Sequence, residues 1–180
     1  MWTRRGKKIE DSDRVVKDAA RSRERTMHRA VRLLAAKPRS IGELRKRLLE
    51  KLWTNEEVVD AVIEKLKEYE YLDDQKYAVS LALSKLRQKP QGKRRLQQTL
   101  SQKELDKETI EEALTTAFEK MPEEDLIDAA IEKRIRLKGI PDTRENTKKF
   151  YDHLLRQGFS FDLIRTKFSD LSANDHQSDR

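Results

Sequence analysis

The residues of this chain whose types and spacing carry chemistry are cations. Between Lys85 and Lys103 there is no acidic residue, and Lys85, Arg87, Lys89, Lys93, Arg94, Arg95 and Lys103 all fall in that stretch. These seven equal the formal net charge of +7, because acids and bases elsewhere are interleaved and nearly cancel. Cations grouped in this way bind anions, either nucleic-acid phosphate or carboxylates on a protein surface. A charge run also arises as a solvated face that merely aids solubility. One internal contrast favours binding. The first turns of the other expected helices carry acids: Glu43, Glu56 and Glu57, Asp73 and Asp74, Glu108, Glu123 to Asp125, Asp142 and Glu145, and Asp162. Acids complement the positive end of a helix dipole. The helix expected after Gly92 alone opens with Lys93-Arg94-Arg95. Each such cation costs about 0.3–1 kcal/mol at an exposed helix start. A bound anion, held by free backbone N–H groups and these side chains, would offset that cost.

No second chemistry assembles. His28, His153 and His176 have no partner at i+3 or i+4, and cysteine is absent, so neither a metal site nor a thiol nucleophile is expected. The five glycines are isolated, which excludes a phosphate-binding glycine loop. Asp73-Asp74 precedes an apolar helix and reads as an N-cap with an acidic first turn. Trp2 and Trp53 form no stacking platform, and Trp53 falls at an apolar repeat position, so it is assigned to the core. No cofactor and no enzymatic activity are expected. The N-terminus lacks the apolar core of a secretion signal, no stretch approaches the ~20 apolar residues of a membrane span, and a cytoplasmic protein fits the absence of cysteine.

The elements that must position the cations are helices. Charged residues make up 41% and the hydrophobic class 36%, against roughly 25% and 45–50% in an ordinary globular domain. That stock fills several thin cores better than one deep one. Met27, Ala30, Val31 and Leu34 give a first apolar stripe that Lys37-Pro38 ends. Ser40 to Glu43 and Thr54 to Glu57 read as capping boxes for two further helices, with Ile41, Leu44, Leu48 and Leu52, then Val58, Val62 and Leu66, as their stripes.

This three-helix unit recurs. Moved forward without a gap, Leu44, Leu48, Trp53, Val58 and Val62 fall on Leu96, Leu100, Leu105, Ile110 and Leu114, and again on Phe150, Leu154, Phe159, Ile164 and Phe168. Thr54, Asp106 and Ser160 coincide as N-caps. The opening helices are read as Glu24 to Ala36, Asp73 to Lys89, and Pro122 to Lys138. The fold class is therefore all-α: three tandem three-helix repeats forming an elongated, curved body. The expected boundaries are a mixed-charge N-terminal arm over 1–22, repeats over 23–72, 73–120 and 121–171, and a loose tail over 172–180.

Ala30 to Leu34, Ser40 to Leu48, Tyr71-Leu-Asp-Asp-Gln-Lys-Tyr-Ala78, Gly92 to Leu100 and Arg156 to Ile164 resemble the bacterial RecX regulatory family in order and spacing. The Tyr-Leu-Asp-Asp run is the most specific piece. The resemblance implies three tandem three-helix repeats and a non-enzymatic modulator of the RecA recombinase. Such a protein binds the RecA–DNA filament along its groove and inhibits ATP hydrolysis, strand exchange and co-protease activity; some members also bind DNA, single- or double-stranded. On that reading a monomer uses Lys85, Arg87, Lys89, Lys93, Arg94 and Arg95, together with Arg45, Lys46 and Arg47 in the matching helix of the first repeat. Lys148 and Lys149 are the weaker counterparts in the third. Two positions depart from the family pattern: Glu70 and Glu104 stand where glycine is usual, at expected C′ positions of helices. A free-standing helix-turn-helix DNA-binding protein is the alternative. A pure interaction scaffold fits less well, because the common short helical repeats have periods of 33 or 34 residues.

Overall fold

The computed structural model describes residues 10–175. Residues 1–9 of the expected arm, with Trp2, and residues 176–180 of the expected tail, with His176, lie outside the described residues. Among the described residues the chain is helical with no strand. A short 3-10 helix (Asp11–Asp13) precedes α1 (Ala19–Ala36), α2 (Ile41–Leu48), α3 (Glu56–Glu68), α4 (Asp74–Gln88), α5 (Lys93–Ser101), α6 (Lys107–Lys120), α7 (Glu123–Lys138), α8 (Arg144–Arg156) and α9 (Phe161–Asp175). The first helix begins earlier than its apolar stripe, because Asp18 accepts from the Arg21 N–H and caps it at residue 19. At the other end α9 continues to Asp175, so residues 172–175 are helical rather than tail.

Two compact units result: residues up to Tyr77 together with Lys103–Leu105, and Ala78–Gln102 together with the residues from Asp106 onward. In the first unit Ala30 of α1, Leu44 and Leu48 of α2, and Val59, Val62, Ile63 and Leu66 of α3 are buried with Leu72. Full burial of a leucine or valine stabilises by about 1.5–3 kcal/mol, so these residues hold three short helices that are marginal alone. The arm is tied to the α2–α3 connection: the Val15 N–H donates to the Leu52 carbonyl, and Asp11 accepts from the Glu56 N–H. Asn55, not Thr54, caps α3 by accepting from the Val58 N–H. Thr54 is instead buried, with its hydroxyl paired to that of Thr26.

In the second unit the repeat equivalences hold as burial. Leu96 and Leu100 of α5 and Phe150 and Leu154 of α8 are at most 2% exposed, as are Leu44 and Leu48. Ile110 and Ile164 are buried like Val58. Asp106 and Ser160 cap α6 and α9 as expected, accepting from the Thr109 and Leu163 N–H groups. Phe168 is half-buried, packing at 5.7 Å from Phe150 and 5.5 Å from Tyr151. In α4 only Ala78, Ala82 and Leu86 are fully buried, with Val79, Leu81 and Leu83 half-buried.

Glu70 and Glu104 both adopt positive φ, 58° and 54°. After α3 the bonds form a Schellman motif: the Glu70 N–H donates to Lys67 and the Tyr71 N–H to Leu66. Glycine takes this backbone without the penalty a side chain carries. Glu70→Gly is therefore expected to raise unfolding stability by about 0.5–1 kcal/mol, a rise of several degrees in Tm. An unchanged or lower Tm would contradict it.

Candidate anion-binding surface

The start of α5 is built with two distant segments of the second unit, the first turn of α7 and the end of α8. Its N-cap is Gly92, which supplies no side-chain oxygen. Instead the Lys93 N–H donates to Glu123 Oε1 at 2.9 Å, from the first turn of α7. The Arg94 N–H donates to the Gly158 carbonyl at 3.3 Å. The Arg95 guanidinium donates to the Arg156 carbonyl at 3.0 Å, where α8 ends. A carboxylate and two carbonyls thus supply the acceptors that this helix start lacks in its own sequence. Two of its leading backbone donors are not free for a ligand, which corrects the expectation of an open helix-end anion site. A carboxylate 30 residues away leaves no local signal.

The side chains remain. Among the described residues Lys85, Arg87, Lys89, Lys93 and Arg94 enter no ion pair; Lys85 is half-buried and the other four are exposed. α4 ends on Lys85 and Arg87, where cations suit the carbonyl end of the dipole. Lys103 differs, pairing with Glu43 at 3.1 Å in the first unit.

The expected counterparts are mostly occupied. Arg45 binds Asp60 at 2.7 Å and Glu56 at 3.1 Å, hydrogen bonds that raise its pKa further above the ordinary arginine value. Lys46 pairs with Glu104 at 2.8 Å and Arg47 with Glu50 at 2.9 Å. Lys149 pairs with Glu145 at 2.6 Å, while Lys148 is exposed. The first unit's basic helix is thus largely neutralised by its own acids, and the central stretch is not.

His153 of α8 sits beside this surface. Its ring bonds the Gln157 amide at 2.6 Å. Burial, then Arg134, Arg156 and Lys89, hold its pKa below the ordinary histidine value. The folded state therefore keeps the ring neutral while the unfolded chain protonates first. The stability that His153 contributes is present above pH 6.5 and is lost as pH falls through its lowered folded pKa. His153→Gln is expected to flatten the decline in stability between neutral pH and roughly pH 5, read by urea unfolding at stepped pH. An unchanged pH profile would remove His153 as a source of that decline.

Asp73 caps α4 by accepting from the Lys76 N–H at 2.8 Å, the bond that lowers its pKa most. Asp74 accepts from the Ile41 N–H at 2.8 Å, so this pair is structural. Trp53 is half-buried rather than core, with the Arg25 guanidinium 4.4 Å from its ring centroid. The repeat alignment placed it with Phe159, which is fully buried, but a stacked arginine replaces an apolar neighbour there. Among the described residues no His, Asp and Glu cluster could hold a metal ion, and no helix is long and apolar enough to cross a membrane.

Family models match most of the folded chain: RecX, first three-helix domain, over residues 27–66, the second over 73–114, and the third over 122–168. A regulatory protein RecX of Prosthecochloris aestuarii is 31% identical over 150 residues, covering 83% of this chain and 95% of that protein. The chain belongs to the RecX family. The Bacillus subtilis regulatory protein RecX is 28% identical over 98% of this chain. This chain spans 67% of that protein's length and 52% of a Clostridium botulinum relative's. The crystal structure of RecX from Lactobacillus salivarius matches with a TM-score of 0.76 over 86% of this chain and 99% of that one, at 24% identity, a likeness of fold. The three matched domains correspond to α1–α3, α4–α6 and α7–α9. These RecX-family relatives are named regulatory proteins.

Proposed function

We propose that this RecX-family chain binds the RecA–DNA filament and modulates it, chiefly by inhibiting ATP hydrolysis, strand exchange and co-protease activity. In that way it regulates DNA repair and the SOS response. It acts in the cytoplasm, as a monomer, by binding rather than catalysis. The observation that carries this reading is the acid-free run from the end of α4 through α5, whose Lys85, Arg87, Lys89, Lys93 and Arg94 enter no ion pair among the described residues, whereas Arg45, Lys46 and Arg47 of α2 are all paired. Filament grooves offer long rows of phosphate and carboxylate, which such side chains recognise. Arg95 supports the surface by holding the end of α8, and Arg45, Lys46 and Arg47 contribute less because their own acids compete.

A pull-down with purified RecA, with and without single-stranded DNA and ATP, tests the reading. Retention on RecA only when the filament is assembled is expected; no retention under any condition would overturn it. A free-standing DNA-binding role is the second reading, favoured by the exposed Gln97 and Gln98 on the helix that opens with the cations. It predicts tight, salt-dependent and sequence-selective binding to naked duplex.

A further inference from the structure

The first unit carries a second basic surface, on α1. Along α1, Arg21, Arg25, Arg29 and Arg32 recur on one face and line a groove of about 510 Å³ with Trp53. His28 and a single acid, Glu24, complete the lining. Arg21, Arg25 and Arg32 are exposed and enter no ion pair among the described residues. Arg29 reaches Glu50 only at 3.6 Å, and its buried Nε has no hydrogen-bond partner. The Arg25 guanidinium carbon lies over the indole, 4.4 Å from the centroid.

We propose that this groove is a binding site for single-stranded nucleic acid, with an unpaired base stacked on the Trp53–Arg25 platform and the backbone phosphates on the arginine row. The charge balance selects an anionic ligand. Four residues of helix advance about 6 Å along the axis, a spacing on the order of that between successive phosphates of an extended strand. The stacked pair selects a base rather than a carboxylate, since an unpaired base offers a π-face to an aromatic ring or a guanidinium plane. Duplex bases are already stacked on one another and present no free face. Trp53 is tied in place from below, because the Ser22 hydroxyl of α1 donates to its carbonyl at 2.7 Å. The site needs no RecA, so it stands or falls separately from the filament reading.

The test uses the full chain carrying Trp2→Phe, which leaves Trp53 the sole tryptophan, titrated with oligothymidylate in the absence of RecA. Quenching of Trp53 fluorescence is expected, with a log–log salt slope of about −2 for three arginine contacts. Arg25→Glu with Arg32→Glu should weaken binding at least tenfold, followed by a labelled oligonucleotide. Trp53→Leu should weaken it about tenfold, and Trp53→Phe much less. Lys107→Glu with Lys120→Glu, at exposed positions of α6, should leave it unchanged. Absence of quenching would overturn the proposal, as would binding unaltered by the two arginine reversals. Equal affinity for a duplex of the same length would remove the stacking role, and displacement by polyglutamate at equal charge concentration would reassign the groove to protein carboxylates. Circular dichroism on each variant separates lost binding from lost folding.

Discussion

Reversal of Lys93 and Arg94 together to glutamate is expected to weaken binding to the RecA filament at least tenfold while leaving the helical content intact. Both side chains are exposed and lack an ion pair among the described residues. An exposed ionic contact contributes about 0.2–1 kcal/mol, and reversal replaces attraction with repulsion of similar size. Two reversals together amount to about 0.8–4 kcal/mol, a range centred above the 1.4 kcal/mol that corresponds to tenfold in affinity. The same change puts acids at a helix start, where the dipole favours them. Thermal stability should hold or rise as binding falls. A surface whose charges served only solubility would show neither change in binding. Arg95 is left native in this variant, because its guanidinium holds the Arg156 carbonyl and its loss would disturb the fold.

Gly158→Ala should be among the most destabilising single substitutions in the chain. Gly158 has φ of 92°, a region that side chains rarely adopt, and a Cβ there would lie 2.5 Å from the Arg95 nitrogen and 2.6 Å from its Cβ. Across the same contact, a Cβ on Gly92 would lie 2.4 Å from the Gly158 carbonyl. Neither neighbour is the end of a flexible side chain, so backbone must shift. Positive φ costs about 1–2 kcal/mol and overpacking about 1–3 kcal/mol more. A loss of about 2–5 kcal/mol is expected, measured by urea unfolding. Glu104 occupies the equivalent turn in the first unit, where a Cβ on Gly42 would lie 2.6 Å from its carbonyl oxygen and the Ser40 hydroxyl donates to the Lys103 carbonyl. The same backbone stacking thus occurs twice, once with glycine and once without. A cost for Gly158→Ala below about 1 kcal/mol would show that this close approach relaxes easily.

The helices and their buried faces were legible in the sequence because they are local. Leu44, Leu96 and Phe150 recur at one position of an amphipathic pattern, and burial follows from the pattern. Caps at Asp106 and Ser160 were equally local. At Thr54-Asn55 two good capping residues stand side by side, and the choice between them was made by Thr26, which takes the Thr54 hydroxyl. The positive φ at Glu70 and Glu104 was legible from the departure of those two positions from the glycine usual in the resembled family. What could not be read was pairing at a distance. Arg45 looks as free as Arg94 in sequence, yet Asp60 and Glu56 neutralise one, and none of the described residues forms an ion pair with the other. Glu123 looked like the first turn of its own helix alone, and it also accepts from the backbone of another. Trp53 looked apolar by alignment, but the residue above it is Arg25. Charge runs gave the candidate surface, and long-range partners decided which of its members remain available.

RecA's DNA-dependent ATP hydrolysis tests most directly whether the chain acts through the RecA filament. Titrating the purified chain into preassembled filament should depress the hydrolysis rate in a saturable manner, with the Lys93→Glu, Arg94→Glu variant displaced at least tenfold to higher concentration. A rate that stays constant across a wide titration of the native chain would contradict action through the filament.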